Sequence, residues 1–230
     1  MKALKALLMF AVVLGVIVAG AVSLWLGRGV KLAVERYGPG LVGAPVSVGA
    51  VILTPWSGRG AIKDLVIGNP PGFKGARAVS VGSVEVKLRL SSLAGDTIVV
   101  DSVVVREPEI VYELGAGGSN LARLQRNAEA AKPKERSDPG EGAPTKSLLI
   151  KDLVVTGGKV GLAASALGGK DATIALPGIH LTDLGGKGRS PAQAVSQVLS
   201  ALSASAAKAA ASVPVSSIID KLGGLLKGVR

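Results

Sequence analysis

Residues 79–90 read VSVGSVEVKLRL, and over residues 84–90 apolar side chains alternate with charged ones. A β-strand points successive side chains to opposite faces of its sheet, so this period of two predicts a strand with one dry and one wet face. Sheets made of such strands are commonly antiparallel and bury only one face. The stretch therefore predicts a mainly β fold, organised around a sheet with a single apolar face.

Strand-like runs continue on both sides of this stretch, separated by glycine or proline clusters. They cover residues 46–53, 61–67, 97–105, 108–114, 147–156, 159–164 and 172–184. The hexapeptide IKDLVI at residues 62–67 recurs as IKDLVV at residues 150–155, with a looser copy, VDSVVV, at residues 100–105. Such repetition predicts that similar strand units stack beside each other in one sheet.

Two internal stretches have helical spacing, and both begin with a residue that can cap a helix. Ser119 or Asn120 opens the first, which extends to residue 131, while Ser190 and Pro191 open a longer alanine-rich helix. Between them, residues 132–146 (KPKERSDPGEGAPTK) are polar and rich in proline and glycine. This composition cannot bury a core and predicts a flexible linker.

A last, amphipathic helix is predicted over residues 217–230. Its apolar residues share one stripe at a spacing of 3.6 residues: Ile218, Leu222, Leu225, Leu226 and Val229. Basic residues of the same segment would suit an anionic headgroup layer. We therefore predict that the stripe contacts lipid or a partner protein, the alternative being that it packs against the chain's own sheet.

The N-terminal stretch ALLMFAVVLGVIVAGAVSLWLG, residues 6–27, carries no charge and follows Lys2 and Lys5. About 20 apolar residues in a helix cross a bilayer core of about 30 Å. The stretch predicts an uncleaved signal anchor in which Leu7, Leu14 and Ile17 lie in the membrane and Trp25 lies at the headgroup level. The alternative is a signal peptide cleaved after the small residues 19–21.

These features divide the chain into five segments and predict its fold class. The segments are an anchor helix with its stalk (1–37), a β-rich region with a short helix (38–131), the linker (132–146), further strands of the same sheet (147–186) and a helical C-terminal segment (187–230). The predicted class is mainly β with helices. It combines an N-terminal transmembrane helix, a curved and open groove-like sheet, and alanine-rich and amphipathic helices at the C-terminal end.

Composition argues against several functions. The net charge is +11, but the cations are scattered and do not alternate with aromatic residues that could stack on bases, so we expect no nucleic-acid partner. The chain has no cysteine, and His180, its one histidine, lies in a strand-like run. Neither a thiolate nor a histidine-rich metal site is available. We therefore predict no catalytic residue, no metal and no cofactor, and a protein that is not an enzyme.

Several turn and strand motifs together resemble the AsmA-like proteins. They are GAPVSVGAVIL at residues 43–53, IGNPPGF at 67–73, DSVVVREPEI at 101–110, GSNL at 118–121 and LPGIHLTDLG at 176–185. The resemblance spans roughly residues 5–183. It implies a bacterial protein with a single N-terminal anchor in the inner membrane and a β-rich domain in the periplasm. Larger members resemble repeating-β-groove proteins thought to conduct lipids between membranes, whereas this chain is short.

The resemblance and the predicted apolar face suggest handling of inner-membrane phospholipids, or maintenance of the cell envelope. The alternative is an envelope assembly factor or a structural subunit of a membrane protein complex, which would bind a protein partner through its strand edges and amphipathic helices. Copurifying phospholipid would favour the first hypothesis. A stoichiometric protein partner without lipid would favour the second.

Overall fold

The computed structural model describes residues 2–115, 117–131, 146–162, 172–186 and 189–212, and only the backbone of residues 2–18 and 172. Within these ranges a mainly β chain carries three α-helices and one 3-10 helix, Leu90–Ala94. In chain order the elements are α1 (Lys2–Val42), β1 (Val46–Ser47), β2 (Ala50–Thr54), β3 (Arg59–Gly68), β4 (Arg77–Leu88), β5 (Thr97–Arg106), β6 (Glu109–Tyr112), β7 (Leu114–Gly115), β8 (Gly118–Ser119), α2 (Asn120–Ala130), β9 (Ser147–Thr156), β10 (Lys159–Leu162), β11 (Ala172–Ala175), β12 (Ile179–Gly185) and α3 (Pro191–Ala211).

Strand β4, which contains most of the alternating stretch, lies at the centre of the main sheet. One of its edges pairs with β3 along nearly its whole length, from Arg59↔Lys87 to Gly68↔Arg77. Its other edge is shared, because β5 pairs with residues 83–88 and β6 with residues 79–80. Both β1 and β2 pair with β3, while β9 and β12 extend the sheet beyond β5, and β10 and β11 extend it beyond β6.

Two of the three repeated hexapeptides lie side by side. Strand β5 pairs in parallel with β9, and β6 pairs in parallel with β10, at a constant offset of fifty residues from Thr97↔Ser147 to Tyr112↔Leu162. The looser copy at residues 100–105 therefore stacks directly on residues 150–155. The closer match, at residues 62–67, lies on β3, and β4 separates it from β5. Stacking is thus confirmed for the two later copies.

The main sheet is curled into an open half-barrel. Two aspartates, Asp64 with φ 51° and Asp183 with φ 53°, adopt left-handed backbone conformations inside strands. The pairing between β3 and β4 passes over Asp64, and the pairing between β9 and β12 passes over Asp183. The register is the same on both sides of each aspartate, and aspartate tolerates positive φ better than most residues.

Helices α2 and α3 begin at the residues that the capping signals indicate. Both helices pack on the apolar side of the sheet. The hydroxyl of Ser119 accepts a hydrogen bond from Ala122 N at 3.2 Å, and Ser190 forms a capping box with Gln193. Leu121 and Leu124 of α2 and Leu199 of α3 are buried with the strand residues of one core cluster. The predicted mainly β class, with a curved open sheet and helices, is therefore confirmed.

Helix α1 differs from its predicted course at its C-terminal end. The anchor helix with its stalk was predicted to end at residue 37, but the helix continues through Pro39 to Val42. Proline inside a helix removes one backbone donor and crowds the carbonyl four residues earlier, yet Gly43 N still donates to Pro39 O at 2.9 Å. Val42 and Ala44 are buried in the core cluster, and this packing holds the last turn in place.

Among the residues that the structure describes, no helix is both long and apolar enough to cross a membrane. The signal anchor at residues 6–27 therefore stays a prediction. The linker at residues 132–146 and the helix at residues 217–230 lie outside the described residues.

Candidate functional site

The inner face of the half-barrel carries rows of apolar side chains. Residues that pair across a sheet point to the same face, and one row follows the pairing from β3 to β12: Ile62, Val84, Val105, Val155 and Ile179. The next row contains Val86, Val103, Leu153 and Leu181. The single apolar face expected from the sequence is therefore present.

Helices cover only part of this face. At the β9–β12 side, α3 packs on the sheet and buries Leu153, Val155 and Ile179. Among the apolar residues that are only half-buried, although they pack against the same core cluster, are one each from β3, β4, β5 and β9: Ile62, Val86, Val103 and Ile150. We call these four residues the half-open apolar face. It is a candidate surface for an apolar ligand, because soluble proteins rarely leave contiguous apolar area exposed without a function.

Helix α1 forms the opposite border by covering the edge of β2. Lys31 Nζ donates to Gly49 O at 2.9 Å, and Glu35 accepts from Val48 N at 2.9 Å. A Cβ atom added at Gly27 would collide with the Val51 carbonyl, so the helix lies directly against the strand. These contacts satisfy polar groups at an edge that could otherwise pair with another chain.

The outer face of the sheet is polar, and its charged groups pair with one another. Arg106 Nε lies 3.4 Å from a Glu85 oxygen, and Arg77 lies 3.5 Å from Glu109. A hydrogen bond from Arg89 holds the pKa of Asp101 below its ordinary value, with smaller contributions from nearby Lys151 and Lys87. Exposed pairs of this kind contribute little to stability. The outer face thus has the features of an ordinary solvated surface.

The histidine considered for a metal site lies on the outer face of the sheet. His180 Nε2 lies 2.5 Å from Asp152 on the exposed outer face. Within the described part of the chain, no group of three or more His, Cys, Asp or Glu residues is placed to hold a metal ion.

A buried polar network behind the sheet was missed from the sequence. Glu113 is only 4% exposed and accepts hydrogen bonds from Lys74 N at 2.7 Å and Gly75 N at 3.0 Å. Asn120, which is fully buried, donates to Asn69 Oδ1 at 2.7 Å and accepts from Glu113 N at 3.1 Å. The network joins the IGNPPGF loop to the GSNL turn, so these two motifs have a structural role.

The remaining predicted contact residues stay predictions. Trp25 is 76% exposed on α1, and its position at the headgroup level stays a prediction. The side chains of Leu7, Leu14 and Ile17 lie outside what the structure describes. The same is true of the C-terminal stripe, which comprises Ile218, Leu222, Leu225, Leu226 and Val229.

Comparison with known families identifies this arrangement. The family model for the AsmA family matches residues 52–181, more than half of the 230 residues. The chain belongs to the AsmA family. The part that matches the AsmA model begins in β2 and ends in β12, so it contains the whole half-open apolar face. Membership in the AsmA family agrees with an envelope-related function. The curated proteins and the solved structures contain no significant match to the chain.

Proposed function

We propose that the chain is a non-enzymatic, inner-membrane-anchored periplasmic protein that handles phospholipid on its half-open apolar face. AsmA family membership supports a role in the envelope. The uncharged run at residues 6–27 supports the anchor, because such a run is long enough to cross a bilayer. The backbone of α1 is helical over this whole run.

The incomplete covering of Ile62, Val86, Val103 and Ile150 is the observation that carries this proposal. A sheet used only as a scaffold gains stability from burying such residues completely, at about 25 cal/mol for each Å² of apolar surface. Leaving them half-exposed in the interior of a curled sheet keeps an apolar track available for acyl chains.

The test measures phospholipid that copurifies with the full-length chain in a mild detergent. Replacing both Val86 and Val103 with threonine keeps the side-chain shape but adds hydroxyl groups to the apolar face. Burial of a valine side chain contributes about 1.5 kcal/mol or more, so the double variant should bind lipid at least about tenfold more weakly.

Val104 provides the matched control, because it neighbours Val103 on β5 and belongs to the outer face, where it pairs with Glu85. Val104→Thr should keep its lipid. Equal lipid content in all three proteins would contradict the proposal. A stoichiometric protein partner in place of lipid would support the assembly-factor hypothesis instead.

A further inference from the structure

One end of the half-barrel exposes a cluster of large apolar side chains. Trp56, 64% exposed, lies in the turn at residues 55–58 between β2 and β3, and Leu90 and Leu93 are exposed on the adjacent 3-10 helix. The two segments are in contact: Leu88 N donates to Gly58 O at 2.7 Å, and a Cβ atom at Gly58 would lie 3.3 Å from Leu90 Cγ. We call residues 55–58 and Leu90–Ala94 the rim.

The N-terminal half of helix α1 extends toward the rim and beyond it. Ser23 Oγ donates to Leu53 O, Gly27 lies against Val51, and Lys31 donates to Gly49 O, so the helix runs antiparallel to β2. The residues before Ser23 therefore extend beyond the end of β2 on the side where the rim lies. From Lys2 to Ser23 this extension is about 30 Å long at 1.5 Å per residue.

Charge at this end of the sheet is mainly positive. Arg59, Lys87 and Lys146 are exposed there, and Lys146 Nζ donates to Leu93 O at 2.5 Å. Arg89 is paired with Asp101. Aromatic residues beside basic ones are typical of a surface in the headgroup layer of an anionic membrane.

We propose that the rim lies in the headgroup layer of an anionic phospholipid bilayer, beside the point where α1 enters that bilayer. This inference rests on the proposed anchor and adds an orientation to it. The half-open apolar face then begins at the membrane surface, because Val86 of that face is two residues from the rim end of β4. An acyl chain can pass from the bilayer onto the sheet without crossing water.

The two tryptophans of the chain allow a direct test in the full-length protein. Trp25→Phe leaves Trp56 as the single tryptophan. The variant is reconstituted into vesicles of phosphatidylethanolamine and phosphatidylglycerol with brominated acyl chains close to the headgroup. We expect blue-shifted Trp56 emission that the brominated lipid quenches and that aqueous iodide does not. Emission that iodide quenches and brominated lipid leaves unchanged overturns the proposal.

Two further variants separate the rim from other parts of the molecule. In the Trp25→Phe background, changing both Leu90 and Leu93 to aspartate should abolish quenching of Trp56 by lipid. Leu114→Asp is the matched control, because Leu114 is 57% exposed but follows β6 at the opposite end of β4. It should leave the quenching unchanged. Equal loss in both variants would point to general unfolding and would count against a specific rim.

Trp56→Phe leaves Trp25 and distinguishes failure of the rim from failure of the anchor. Quenching of Trp25 but not of Trp56 by brominated lipid means that the anchor is inserted while the rim is held away, which overturns this inference only. Absence of quenching at both positions, with the protein extracted from the vesicles by alkaline carbonate, overturns the anchor as well. Shielding of Trp56 from both lipid and iodide indicates a protein contact and also overturns the rim proposal.

Discussion

The unit formed by β5 and β6 and the unit formed by β9 and β10 share one backbone course but differ in chemistry. Both are a long strand, a tight turn and a short strand, stacked in parallel fifty residues apart. Even the turns agree, because Glu107 and Gly157 both have positive φ, 51° and 68°. The first unit pairs with the central strand β4, whereas the second pairs with β12 and β11 toward the sheet's margins.

Three of the differences replace an acidic residue of the first unit, each compared with the residue fifty places later. Asp101 corresponds to Lys151, Glu107 to Gly157, and Glu113 to Ala163. The first unit uses charged residues where the second uses an opposite charge, a glycine or an alanine. Repetition of a backbone therefore does not require repetition of its polar contacts, and each of the three positions can be tested separately.

Replacing Glu113 with alanine should have the largest effect on the free energy of unfolding. The change leaves the part-buried hydrogen bonds from the N–H groups of Lys74 and Gly75 without their acceptor, and each such loss costs about 1–3 kcal/mol. We expect the free energy of unfolding to fall by about 4 kcal/mol in chemical denaturation of the full-length chain. Glu113→Gln keeps one acceptor oxygen and should lose about half as much. Equal stability of all three proteins would show that the network is dispensable.

Exchanging the turn residues should change the free energy of unfolding moderately, with opposite sign in the two units. A residue other than glycine in the left-handed region costs about 1–2 kcal/mol. Glu107→Gly should therefore raise the free energy of unfolding by about 1 kcal/mol, and Gly157→Ala should lower it by about the same amount. Chemical denaturation of both variants checks this. A destabilised Glu107→Gly variant would mean that the Glu107 side chain makes a compensating contact.

Replacing Asp101 with asparagine should have the smallest effect on stability, and this effect should depend on pH. The hydrogen bond from Arg89 lowers the pKa of Asp101 in the folded chain. The resulting stabilisation is present above the ordinary pKa of about 3.9 and is lost as the pH falls below it. Asp101→Asn should thus lower the thermal unfolding midpoint at pH 6, and the gap from wild type should close toward pH 3. A gap that does not vary with pH, or that persists in an Arg89→Met background, would assign the effect to another cause.

Local sequence patterns were sufficient to predict most of the elements. The alternation at residues 84–90 predicted β4, which ends at Leu88 because Leu90 begins the 3-10 helix. Ser119 and Ser190 marked the starts of α2 and α3 correctly. These signals depend on period and capping, which neighbouring residues along the chain determine.

The features that depend on distant residues were not predictable in this way. Nothing in the run at residues 6–27 indicates that the following part of α1 hydrogen-bonds to an edge strand through Lys31 and Glu35. Glu113 resembles any polar residue at a strand end, and its burial follows from a loop thirty-eight residues away along the chain. The half-open apolar face likewise depends on where α3 packs, because the strand pattern is the same for covered and uncovered valines.

The fifty-residue offset between β5 and β9 also determines the order in which the nascent chain can fold. At a synthesis rate of about 5–20 residues per second, β9 leaves the ribosome about 2.5–10 seconds after β5. Until β9 is present, a β5 strand that has paired with β4 keeps its other edge as a row of unpaired backbone groups, which promote aggregation. A holdase chaperone acting on this chain therefore has both a defined target, the free edge of β5, and a defined interval in which to bind it.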